Sequence, residues 1–286
     1  MEIVGHEEIG DKKWDAFCDA SPQAWLRHTT RGRKGALALN PDNEDHSFGV
    51  MRGDTLVAVA PLVTQPLGEG EREFAFSINT RLSDTHSLPT PMPAGEPALV
   101  ELCMQEIDRC AKKHGIARTR MFIDPLTVVP AANPLLAFGY KDHSITTSVV
   151  DLQAEEATIL ARMNKGHRLD IAFAERQNYG VNVESDAAGL HAFLNHGGKT
   201  VANVFALAYK RSAYYGRSKM EPEARALRGA GQILQWRIMQ ELKRRGFERY
   251  DMGWQTGSTP KEAAIADFKR HFGGDPVPLW MGIKTY

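Results

Sequence analysis

Residues 259–274 read TPKEAAIADFKRHFGG, and both ends of a helix are written into them. Thr259 and Glu262 form a T-x-x-E capping box, with Pro260 at the first helical position, where its missing N–H costs nothing. Ile265, Phe268 and Phe272 then fall at i, i+3 and i+7, which predicts one apolar face, and Gly273 supplies the stop. Lys269 lies about 100° around the helix from Phe268, at the margin of that predicted face. Upstream, FERYDMGW (247–254) reads as a strand, and downstream PLWMGIKTY (278–286) reads as a terminal strand.

Working outward, residues 154–178 predict one long helix, with Glu155 and Glu156 favouring its start. VNVES (181–185) follows as a strand, DAAGLHAFLNHGGK (186–199) as a connection, and residues 199–219 as two strands turning at Lys210-Arg211-Ser212. A helix over about 222–245 ends before Gly246. In the first half, residues 14–38 are mostly helical. GDTLVAVAPLV (53–63) completes a hairpin turning at Arg52-Gly53-Asp54. Residues 63–95, rich in Pro, Gly, Ser and Thr, read as an irregular connection with a strand near Phe74–Ile78. EPALVELCMQEIDRCAKKHG (96–115) is a helix stopped by Gly115. Each half therefore runs helix, hairpin, long helix, strand, helix, strand. That order predicts an α+β protein made of two copies of one fold, divided as 1–150 and 151–286.

A chain of 286 residues with 42% hydrophobic content has ample core for two domains. Lys plus Arg balance Asp plus Glu at 35 each, but residues 1–150 carry 15 basic against 20 acidic and residues 151–286 carry 20 against 15, net −5 and +5. This fits either two mutually attracting domains or a basic half that handles an anion. There is no apolar run of membrane-spanning length, no signal peptide and no disulfide framework among the three cysteines. A cytoplasmic, monomeric protein with no DNA partner is the expectation.

SVVDLQAEEATILARMNKGHRLDIAFAERQNYGVNVE (148–184), GFERYDMGW (246–254) and AAIADFKRHFGGDPV (263–277) resemble successive motifs of the Fem-type aminoacyltransferases. The Trp14 helix and the GDTLVAVAPLV hairpin fit the same family. The resemblance implies two tandem acetyltransferase-like (GNAT) domains, each a mixed, mostly antiparallel sheet flanked by helices. It implies transfer of an aminoacyl group from aminoacyl-tRNA to an amine, of a peptidoglycan precursor or another small acceptor, with no tightly bound cofactor. Acyl-CoA-dependent N-acyl transfer is the alternative, and a non-catalytic GNAT-like binding protein is a third. The chain departs from the family at 186–199, where relatives carry a longer helical stretch with a Thr-and-Arg motif near the acceptor's phosphates. That departure speaks against a nucleotide-diphosphate acceptor.

The resemblance implies that Lys269, beside Phe268, puts a positive charge on the oxyanion formed when an amine attacks an ester or thioester. The plain alternative is a lysine snorkelling over the core edge. Tyr214 and Tyr215 point to opposite faces of a strand, and Tyr215 is the candidate hydrogen-bond donor to substrate. Asp251 either takes a proton from the attacking amine or pairs with an arginine. Gly229 and Gly231, with Arg228, compare in part with a CoA-pyrophosphate loop, although Ala226 stands where that motif has Gln or Arg. The alternative is a glycine-rich helix start without ligand. Arg168 and Arg176, i and i+8 on the long helix, form either a phosphate-contacting ridge or a solvated face. His167 has no partner at metal-ligand spacing, and no metal is expected.

Overall fold

The computed structural model describes residues 1–75, 88–89, 96–177, 179–186, 189–257 and 259–286. The chain forms two compact units. One contains Met1–Ser144 together with Leu279–Tyr286, and the other contains Ile145–Pro278. The α+β class and the repeated fold follow the sequence reading. The last residues do not, because division at residue 150 had left them with the second half.

The first unit runs β1 (Glu2–Gly5), α1 (His6–Ile9), α2 (Asp11–Ala20), α3 (Thr30–Ala38), β2 (Phe48–Arg52), β3 (Thr55–Ala60), β4 (Thr64–Gly68), β5 (Glu71–Phe74), β6 (Leu88–Pro89), α4 (Pro97–Lys113), β7 (Arg118–Phe122) and β8 (Lys141–Asp142). Strands β1–β2–β3 form an antiparallel sheet, turning at Gly53 with φ +58° as the hairpin signal required. Residues 64–74 correct the expectation of an irregular connection, since β4 and β5 pair there as an antiparallel hairpin. The far end of the strand expected near Phe74–Ile78 lies outside the described residues. Helix α4 packs Leu99, Cys103, Ile107 and Cys110, at i, i+4, i+8 and i+11, into a core with Val50, Phe74 and Met121. Both cysteines are thus small buried side chains, and burial pushes the Cys103 thiol up to about 12.

The second unit runs β9 (Ile145–Asp151), α5 (Glu156–Arg162), α6 (Lys165–Arg176), β10 (Gly180–Ser185), β11 (Gly189–His196), β12 (Lys199–Tyr209), β13 (Ser212–Met220), α7 (Pro222–Ala226), α8 (Ala230–Arg244), β14 (Arg249–Trp254), α9 (Pro260–Arg270) and β15 (Asp275–Leu279). Its sheet has the order β10-β11-β12-β13-β14-β9-β15. Pairing is antiparallel from β10 to β13 and between β14 and β9, whereas β13 and β14 run parallel. The final strand of the chain, β16 (Met281–Thr285), returns to the first unit and pairs with β7 and β8. The expected single terminal strand is therefore two, β15 and β16, parted at Trp280.

Three further readings change. The long helix over 154–178 is broken at Met163–Asn164. Met163 is extended (φ −67°, ψ 152°), and Asn164 accepts the His167 N–H at 2.8 Å, opening α6 as a fresh N-cap. The helix over 222–245 is likewise α7 and α8, separated at Leu227-Arg228-Gly229. The segment 186–199 is mostly strand β11, hairpinned to β12 through Gly197-Gly198. Leu190, Ala192 and Leu194 alternate into the core as strand residues do, but with polar neighbours and flanking glycines the stretch also suits a connection, and only its pairing decides.

Replacing Asn164 with Ala removes the cap of α6 and lowers stability to urea unfolding by about 1 kcal/mol. Asn164→Asp retains most of it.

Candidate active site

Helix α9 begins as its sequence dictates: the Thr259 hydroxyl accepts the Glu262 N–H at 3.2 Å, and the Glu262 carboxylate accepts the Thr259 N–H at 3.1 Å. Its buried face, however, is rotated from the predicted one. Ile265 is 43% exposed, while Ala266, Phe272 and Lys269 are buried, Lys269 at 8% exposure. Phe268 is partly buried against the core. Lysine, the side chain placed at the margin by pattern, is inside.

Two joints hold α9 in this rotation. The His167 ring packs against Phe268 and Phe272, with centroids 5.2 and 4.5 Å away, and its Nε2 lies 3.0 Å from the Phe268 carbonyl oxygen. That acceptor fixes the proton on Nε2, and burial lowers the pKa of the ring. At the other joint, Gly273 (φ +77°) abuts the end of α5, where a Cβ would stand 2.2 Å from the Arg162 carbonyl oxygen. His167, set aside by its sequence spacing, is thus a structural bolt between α6 and α9.

The end of Lys269 meets a discontinuity in the sheet. Parallel pairing between β13 and β14 is confined to Ser212–Tyr214 against Arg249–Asp251, although both strands continue beyond it. On the β12 side, the register shifts so that Ala206 faces Tyr215 and Phe205 faces Arg217, leaving Gly216 as the extra residue of a bulge. On the β9 side, β14 is irregular between Asp251 and Trp254, around Gly253 at φ +76°. Lys269 Nζ lies where the two strands part. It is 5.1 Å from the Trp254 ring centroid, 5.4 Å from that of Tyr215, and donates to the Trp254 carbonyl at 3.4 Å. A Cβ on Gly253 would be 3.1 Å from Nζ and 3.3 Å from the Tyr214 hydroxyl, so glycine permits the approach of both.

Burial disfavours the ammonium and lowers the Lys269 pKa to about 8, against an opposing pull from the Asp251 carboxylate. Asp251 is itself buried, and its Oδ1 accepts from the Thr147 hydroxyl and from the Gly253 N–H at 2.8 Å. The site so formed is a cation with aromatic walls, a neighbouring carboxylate and a tyrosine hydroxyl. Such a group can stabilise negative charge developing on a carbonyl oxygen.

The other residues singled out by sequence are distributed differently. Tyr215 faces the helices, with its hydroxyl on Ser218 Oγ at 2.7 Å, and only its ring reaches Lys269. Tyr214 is the one whose hydroxyl lies by Gly253 and Lys269. Arg168 turns back to donate to the Met163 and Ala161 carbonyls, closing the end of α5, while Arg176 is exposed eight residues on. Arg228 Nε donates to Asp170 Oδ1 at 2.8 Å, and its guanidinium lies 5.0 Å from the Phe173 ring centroid. Gly229 is the N-cap of α8 at φ +78°, with space for no Cβ beside the Asp170 carbonyl, and Gly231 meets the Phe268 ring. Thr147 and Trp254 were missed by sequence, and Tyr214 was passed over for its neighbour Tyr215. The signal available was register: Tyr214 pairs with Asp251 across β13 and β14, and Trp254, three residues on from Asp251, pairs with Thr147 across β14 and β9. Among the described residues no group of three His, Cys, Asp or Glu side chains could hold a metal ion. No helix among them is long and apolar enough to cross a membrane.

Residues 181–270, covering most of this sheet and its helices, match the family model described as an acetyltransferase (GNAT) domain. That match lies within the second unit. Over the whole chain the likeness extends to FemX, with a TM-score of 0.71 at 11% identity, covering 100% of this chain and 98% of that one. A tandem GNAT protein from the clavulanic acid biosynthesis pathway gives 0.57 at 14%, covering 99% and 98%. L-PGS from Bacillus licheniformis gives 0.57 at 14%, covering 96% and 91%. The chain therefore has the Fem-type tandem GNAT fold. No curated protein matches it in sequence.

Because the folded pKa of Lys269, about 8, lies below its ordinary 10.5, the unfolded chain binds the extra proton between those values. Relative to Lys269→Met, the wild type therefore gains stability as pH rises from about 8 to 10.5 and keeps a constant deficit below 8. The deficit, on the order of 3 kcal/mol, is read as the difference between the two proteins in urea unfolding across that range.

Proposed function

We propose that this protein is an N-acyltransferase that moves an aminoacyl group from aminoacyl-tRNA onto the amine of a small acceptor, with Lys269 as the oxyanion-stabilising cation. The observation that carries the reading is the placement of the Lys269 ammonium: buried between two aromatic rings where β13 and β14 part, on a helix bolted at both ends. A merely snorkelling lysine keeps its ammonium in water and its pKa near 10.

In the reaction, the acceptor nitrogen attacks the ester carbonyl and a tetrahedral intermediate forms with its negative charge on the former carbonyl oxygen. The charge is drawn to Lys269. Collapse restores the carbonyl, breaks the bond to the ribose oxygen and leaves an amide. The nitrogen loses one proton and the departing oxygen gains one. The chain supplies no nucleophile to this scheme, so acyl transfer is direct.

Support for an ester donor over a CoA thioester comes from the start of α8. The loop that compares in part with a pyrophosphate cradle has its arginine, Arg228, already paired to Asp170, whose other oxygen receives the Gln232 amide at 3.4 Å. A carboxylate of the chain occupies the neighbourhood of this helix start, and a diphosphate there would meet its repulsion. The strand β11 in place of a longer helical stretch likewise favours a small amine over a nucleotide-linked acceptor.

Labelled aminoacyl-tRNA and labelled acetyl-CoA, each offered with a panel of amines, test the reading. Amide formation from the tRNA ester is the expected result. Transfer from acetyl-CoA alone reverses the choice of donor, and transfer from neither turns the domain pair into a binding protein.

In the active system Lys269→Met lowers kcat by about 10²–10³-fold while donor binding stays within about threefold. The wild-type rate falls as pH rises through about 8, where Lys269 loses its charge, and this alkaline limb is absent from the residual rate of Lys269→Met.

A further inference from the structure

We propose that Thr147 is a positioning residue for the reaction: its buried hydroxyl, donated to Asp251, orients that carboxylate in support of the Lys269 ammonium, so that Asp251 does not serve as the base for the incoming amine. The inference rests on the reading of Lys269 as the catalytic cation.

It starts from β9. Two neighbouring hydroxyl side chains on this strand, Thr147 and Ser148, are both buried, and both are committed to the distorted end of β14. Thr147 Oγ1 donates to Asp251 Oδ1, and Ser148 Oγ accepts the Gln255 side-chain amide. The backbone adds a third tie, with the Gln255 N–H donating to the Thr146 carbonyl at 3.0 Å. Between these ties regular pairing is lost, from Asp251 to Trp254, and that stretch supplies the Trp254 ring and carbonyl that meet Lys269. β9 thus clamps the irregular segment on either side of the lysine.

The hydrogen bonds fix the direction of the carboxylate. Asp251 Oδ1 receives two donors, the Thr147 hydroxyl and the Gly253 N–H. An oxygen that accepts twice is stabilised as the anion and is a poor place for an arriving proton. The charge of Asp251 acts on Lys269 in the direction that favours the ammonium, against burial. Among the described residues, these titratable groups surround Lys269. From β13 come Tyr214 and Tyr215, the latter pushed up by burial, and from β14 comes Asp251. On α9 itself Asp267 and Arg270 are paired with each other, and His271 follows them. From α6, His167 is engaged with the Phe268 carbonyl. Asp251 is the carboxylate whose charge acts on the lysine, so the group that orients it governs the lysine.

The test is an NMR titration of the isotope-labelled lysine side chains in the wild type, Thr147→Val, Thr147→Ser and Asp251→Asn, with Lys269→Met assigning the signal. In the isosteric Thr147→Val the ionisation of Lys269 moves down by about half a unit or more. Asp251→Asn moves it further in the same direction, and Thr147→Ser, which restores the hydroxyl, holds it at the wild-type position. In the transfer assay the alkaline limb of kcat/KM shifts by the same amount, with KM for the donor unchanged. A folded Thr147→Val whose lysine ionisation stays in place or rises overturns the proposal, as does a Thr147→Ser that behaves like the valine. Where Thr147→Val does not fold, Asp251→Asn decides: an unmoved lysine overturns it. The titration needs no substrate, so a wild type without transfer activity would sink the proposed reaction and leave the orienting role of Thr147 to be judged by the NMR result.

Discussion

The second unit is organised around a lysine ammonium held out of water. Burying Lys269 costs free energy that no apolar side chain in its place would, and the surroundings offset part of that cost. Two aromatic rings, a backbone carbonyl and the Asp251 charge do so, each delivered by a strand whose regular pairing has been given up. The bulge at Gly216 and the irregularity around Gly253 are therefore part of the site. Regular pairing along β13 and β14 would leave no opening for a side chain from α9.

The helices answer the same constraint from the other side. A helix carrying a buried cation must not rotate, since a turn of one residue would exchange Lys269 for Phe268 or for the larger Arg270. α9 is held by His167 against Phe268 and by the close approach of Gly273 to Arg162. The break between α5 and α6, capped by Asn164, places both contacts, and the Asn164 N–H also donates to the His271 carbonyl at 3.0 Å. What reads in sequence as one long helix is two because its middle is a capped joint against the end of α9.

Much of the architecture was legible beforehand because its signals are local. The capping box at Thr259, the glycine turn at Gly53, the helix stop at Gly115 and the alternation of strands in the second half each depend on residues within a few positions of one another. Where such signals compete with partners distant in the chain, they misled. Ile265 looked like a core residue and is exposed. Lys269 looked marginal and is inside. Residues 186–199 looked like a connection and pair as β11. Arg168 and Arg228 looked available for phosphate, and the fold engages them with the Met163 carbonyl and Asp170.

The sequence by itself determined the type and order of most helices and strands, that the two halves repeat one α+β plan, and that a lysine sits between two phenylalanines on a well-capped helix. Those features follow from backbone chemistry and short periodicities, which act over a turn or a hairpin. The tertiary structure alone decided that the lysine is buried, which tyrosine stands beside it, that Asp251 is held by Thr147, and that the last strand returns to the first unit. Each of these depends on register between strands far apart in the chain. A shift of one residue there would carry every side chain to the opposite face.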